Sequence, residues 1–61
     1  MNKDRNEYII KRINEIRGQI TKLRNDLNMT SVVEYNVGED LWCADHRLCD
    51  SIKYIMQEVE D

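Results

Sequence analysis

Branched aliphatic residues stand at Ile9, Ile13, Ile16, Ile20, Leu23 and Leu27, at alternating steps of four and three, with mostly polar residues between them. Only a helix places six such side chains on one face. A second stripe runs through Leu41, Leu48, Ile52, Ile55 and Val59, with Asp45 in the one slot that should be apolar. The stripes match as mirror images: 27 with 41, 23 with 45, 20 with 48, 16 with 52, 13 with 55 and 9 with 59. The positions of each pair add to 68. This predicts an all-α fold, an antiparallel two-helix hairpin with aligned core layers.

Local signals place the ends of the two helices. Asp4-Arg5-Asn6-Glu7 has capping-box spacing, with Asn2 as a competing cap, so helix one is expected over about 4–27. Asn28 follows as a left-handed terminator. Gly18 falls inside this helix, on the face opposite the stripe. Residues 28–36 read as a linker, in which Ser31-Val32-Val33-Glu34-Tyr35 has the β-branched and aromatic content of a short extended piece lying as a lid over the last core layer. Asn36-Val37-Gly38-Glu39 repeats the capping pattern, and helix two is expected over about 37–59. The 61 residues make one domain.

A lone hairpin of this length buries little apolar surface, and self-association is the remedy its pattern favours. Ile10 flanks the first stripe, while Trp42, Cys49 and Met56 flank the second at intervals of seven. A second apolar edge on each helix suits a homodimeric four-helix bundle built from two hairpins. The chain has no Pro and two Gly, and 34% of its residues are charged. It contains no apolar run of membrane-spanning length, so no membrane association is expected. The basic opening Met1-Asn2-Lys3-Asp4-Arg5 has no apolar run behind it, which predicts no signal peptide, a cytoplasmic location and reduced cysteines.

The net charge of −3 is unevenly spread. Residues 1–28 carry seven Lys/Arg against four Asp/Glu, and residues 29–61 carry two against eight. Folded back on each other, the halves attract, which favours the hairpin. A basic first-helix surface of Lys11, Arg12, Arg17, Lys22 and Arg24 also offers an RNA-binding alternative, with residues spread around the stripe instead of forming one row.

The residues with chemical potential are few. Cys43, His46, Cys49 and Asp50 sit at helical spacing, but one straight helix rarely supplies enough converging ligands, and no metal or other cofactor is expected. Six residues apart on a helix, the two cysteines are too far apart to bridge. Asp45 is expected opposite Leu23, with Lys22 and Arg24 near enough to pair with it as a polar core layer that fixes register. With one His and no phosphate-binding loop, no catalytic residue is assigned. Trp42, Tyr35 and Tyr54 are the aromatic anchors. Trp42 and Tyr35, with the acidic Glu39, Asp40 and Asp50 of helix two, form the expected partner-binding set.

In layout the chain resembles the small plasmid RNA-binding dimers, helical hairpins that pair into an antiparallel four-helix bundle. Its Ile13-x-x-Ile16-Arg17-x-x-Ile20-x-x-Leu23 also resembles the first helix of the short sporulation-phosphorelay aspartyl phosphatases. That resemblance implies a divergent hairpin acting on response regulators. Where that family carries Ser-Gln-Glu-Leu-Asp, this chain has Asp45-His46-Arg47-Leu48-Cys49, so the leucine is kept and the catalytic aspartate is replaced by Cys49. The expected function is therefore that of a small non-enzymatic regulatory protein that binds and modulates a partner protein.

Overall fold

A computed structural model describes residues 2–60, with side chains described over 3–57. It is all-helical, with α1 over Asn2–Asp26 and α2 over Val32–Glu60. The two helices pack against each other as a hairpin 47 Å long, 15 Å wide and 10 Å thick at the Cα atoms. Among the described residues no helix is long and apolar enough to cross a membrane.

The connection is much shorter than the expected 28–36 linker, spanning only residues 27–31. Ser31 caps α2: its hydroxyl accepts the Glu34 N–H at 3.4 Å, and its carbonyl accepts the Tyr35 N–H at 2.8 Å. Ser31-Val32-Val33-Glu34 is itself a capping box in sequence. Glu34 does not reach back to Ser31, however, and accepts the Asn28 N–H at 3.1 Å instead. A satisfied cap thus overrides the β preference of two valines, and Val32 and Val33 stand exposed in the first turn of α2, not as a lid. Asn36, expected to start the second helix, lies inside it.

At the end of α1, Asn28 is not left-handed, since no described non-glycine residue has a positive φ. Its side-chain oxygen instead accepts the Thr30 N–H at 3.0 Å and the Thr30 hydroxyl at 2.7 Å, which closes an Asx turn. Asp4 lies within the first turn of α1 and is not its cap.

The short turn resets the register. Asp45, expected opposite Leu23, is bonded to Arg17, so that contact adds to 62 and not 68. The expected pairing of Ile9 with Val59 falls on a side chain outside the described residues. The contact line is also rotated. On α1 the half-buried positions include 10, 13, 17, 20, 24 and 27; on α2 positions 34, 41, 45, 48, 52 and 55 are half-buried, and Gly38 is buried. Arg17 and Arg24 occupy the line, whereas Ile16 and Leu23 are 42% and 48% exposed.

With the contact line written as heptad positions a and d, the d and g columns of both helices turn to one broad side of an antiparallel hairpin, and the a and e columns to the other. The first side, here the front, is mostly apolar, with the polar Asn6, Glu34 and Ser51 among its d and g positions. It carries Ile9, Ile16 and Leu23 of α1 and Val37 and Ala44 of α2 beside the half-buried d residues. The back carries Arg17, Arg24 and Asp45, together with Tyr35, Trp42, Cys49 and Met56. Among the described residues no apolar side chain is fully buried.

Gly18 lies mid-helix in α1, and a Cβ built there meets nothing within 4 Å. Gly18→Ala is therefore expected to stabilise the protein by about 1 kcal/mol through helix propensity alone. Thermal unfolding followed by circular dichroism should show the midpoint rising by about 4–8 °C. An unchanged midpoint would mean that α1 is not continuous through this residue.

Candidate functional site

The back of the hairpin holds both a polar layer and two of the aromatic anchors, Tyr35 and Trp42; the third, Tyr54, lies apart with Lys53 and Gln57. The Arg17 Nε donates to Asp45 Oδ1 at 2.8 Å, with a longer Nη2–Oδ2 approach of 3.5 Å. Both side chains are partly exposed, at 32% and 25%. The hydrogen bond from Arg17, more than its charge, holds the Asp45 carboxyl below its ordinary value; partial burial works against the shift. The same bond raises the Arg17 guanidinium above its own ordinary value. Arg17, not one of the expected Lys22 and Arg24, makes the ion pair with Asp45. Lys22 is exposed, and Arg24 is half-buried, where its charge adds a smaller lowering of the Asp45 carboxyl without a hydrogen bond.

One turn away, Arg24, Met29, Gly38, Glu39 and Trp42 line an open groove of about 290 Å³. Gly38 forms its floor. A Cβ at this position would lie 3.3 Å from the Met29 methyl and 3.5 Å from Leu27 Cδ1, so the turn packs directly on bare helix backbone. The Arg24 Nε is shielded from solvent and has no hydrogen-bond partner among the described residues. Trp42 is 46% exposed and leans on His46, with ring centroids 4.0 Å apart and planes inclined at 58°. Tyr35, one turn before Glu39, has its phenol pushed above the ordinary value, chiefly by hydrogen bonding to that carboxylate and then by its charge.

Of the expected partner-binding residues, the structure thus brings Tyr35, Glu39 and Trp42 together. Asp40 is exposed on α2 but does not line the Trp42 groove: two residues before Trp42, it falls on nearly the opposite face of the helix. Asp50 lies apart: it is 3.8 Å from Lys53 and lines a separate polar groove of about 310 Å³ with Lys53, Tyr54 and Gln57. Cys43 is an exposed free thiol and Cys49 a half-buried one. Among the described residues no three His, Cys, Asp or Glu side chains gather as metal donors. The basic residues of α1 are also dispersed, with Arg17 engaged by Asp45 and Arg12 3.8 Å from Glu15.

Arg17, Met29 and Gly38 are the site residues that sequence reasoning missed. Arg17 and Arg24 are seven residues apart and share a helix face with Ile10, a spacing that could have shown two arginines on a contact line. No local signal marks Met29 as the partner of Gly38.

No protein-family model matches this chain, and no curated protein or solved structure matches it significantly.

Proposed function

We propose that this protein is a non-enzymatic regulator that binds a partner protein through the back of α2, and that it works as a homodimeric four-helix bundle. The observation that carries the reading is the half-exposed Trp42 on the wall of a groove that also presents Glu39 and Arg24. A large aromatic held in place beside charges of both signs has the chemistry of an interface anchor: its ring supplies apolar area, and the charges set orientation. Tyr35 extends the anchor by about two turns along the same column of α2. The acidic balance of α2 suits a basic patch on the partner, including one that otherwise takes nucleic acid.

The test is capture from host lysate with wild type and Trp42→Ala, after light scattering has shown that both have the same mass. A protein retained by wild type and lost with Trp42→Ala supports the reading and identifies the partner. Co-purifying RNA that is released by salt and by replacing Lys11 and Lys22 would overturn it in favour of the basic α1 surface.

A further inference from the structure

The apolar front of the hairpin is more than its own fold uses. The chain of 7.3 kDa exposes 5153 Å². A compact monomer of that mass exposes about 4,200 Å². The excess of roughly 1,000 Å² is slightly more than the ~800 Å² that each partner contributes to a standard protein–protein interface. Both broad sides share it, since Tyr35, Trp42 and Met56 stand about half exposed at the back and Ile16, Leu23 and Val37 stand 40–48% exposed at the front. They differ in charge: the back interleaves its apolar residues with Arg17, Asp45 and Arg24, whereas Ile9, Ile16 and Leu23 on α1 and Val37 and Ala44 on α2 share the front with half-buried d columns whose one charged member is Glu34, at the turn end. Apolar a, d and g columns are the pattern of a core-facing bundle helix, whereas a simple coiled coil needs only a and d.

We infer that a second copy of this chain covers the front, face to face, with α1 of each copy resting on α2 of the other. Charge selects that pairing. Residues 1–28 have seven basic against four acidic side chains and residues 29–61 two against eight, so stacking α1 on α1 would bring like charge together. Side-chain size fits as well, since the branched Ile16 and Leu23 of one copy face a helix whose front column includes the small Ala44 and Ser51. In this arrangement the two Trp42 grooves point outward on opposite sides, and the dimer is bivalent. The inference rests on the self-associating bundle proposed above; partner capture through Trp42 stands or falls separately.

Sedimentation equilibrium of the full chain tests it. Wild type should have twice the 7.3 kDa chain mass. Because folding is coupled to association, its thermal midpoint should rise with concentration between about 5 and 500 µM. Ile16→Glu and Leu23→Glu should each weaken the dimer at least tenfold, and Trp42→Ala should leave it unchanged. If the glutamate variants also unfold, the concentration dependence of the wild-type midpoint still decides the question. A single-chain mass with a concentration-independent midpoint overturns the inference. So does a dimer that Trp42→Ala dissociates and Ile16→Glu does not.

Discussion

Gly38→Leu is expected to destabilise the protein by about 1–3 kcal/mol, the usual cost of pressing extra carbons against packed neighbours, here Met29 and Leu27 at one side of the groove floor. Even the first added carbon would meet Met29 Cε at 3.3 Å and Leu27 Cδ1 at 3.5 Å. The turn cannot simply retreat, because Asn28 is held by Glu34 on one side and by Thr30 on the other. Gly38→Ala is a different case. Only the tip of a flexible methionine has to move, by a few tenths of an ångström, while the helix gains about 1 kcal/mol of propensity. The alanine variant should therefore be as stable as wild type or more so. Urea titration of both variants checks this, with Gly38→Leu/Met29→Ala recovering most of the loss. A leucine variant with wild-type stability would show that the turn does not pack on α2.

Acidification should weaken the hairpin through Asp45. Its carboxyl is depressed in the folded chain by Arg17, so its contribution is fully present above the unfolded value of about 3.9. The contribution is lost as pH falls through the lower folded value. Arg17, whose pKa the same bond raises, stays charged throughout this range, so the loss in acid follows Asp45 alone; in strong base the bond is lost from the Arg17 side instead. Thermal midpoints measured from neutral pH down to about 2 should fall more steeply for wild type than for Asp45→Asn, which keeps the shape but not the titration. Added salt should shrink the difference, because both groups are partly exposed. Parallel curves for the two proteins would remove the Arg17–Asp45 bond as a source of acid sensitivity. Asp45→Leu alone should destabilise by leaving Arg17 without its acceptor, and adding Arg17→Leu should reverse that by turning the polar layer apolar.

The hairpin itself was legible in the sequence because six aliphatics at helical spacing admit no other local structure. What they face was not legible. Periodicity locates an apolar arc on a helix but says nothing about which neighbour the arc meets. Here α2 touches α1 about 50° to one side of that arc, half of one residue's step, which puts Arg17 and Arg24 where Ile16 and Leu23 were expected. The register failed for a more local reason. Val32 and Val33 suggested an extended linker, yet Ser31 and Glu34 around them form a helix start, and five residues of supposed linker are helix. Once the turn is that short, Asp45 slides from Leu23 to Arg17. The anchors Tyr35, Glu39 and Trp42 survived this slip because all three lie within two turns of one helix, so their grouping depends on no register. The Gly38–Met29 contact depends on the path of the turn and had no sequence signature.

The turn also bears on the order in which the fold assembles. Its bonds join residues at most six apart: Asn28 to Glu34, Thr30 to Asn28, Tyr35 to Ser31. Loops of this size close in about 10–100 ns, faster than helices of this length form. Two amphipathic helices can slide along each other by a heptad and still match apolar rows, and such slips are hard to undo once the rods have docked. A connection that closes first removes that freedom while the chain is still mostly coil. Helices that zip away from such a fixed point are expected to acquire the correct alignment before Arg17 and Asp45 come within reach of each other.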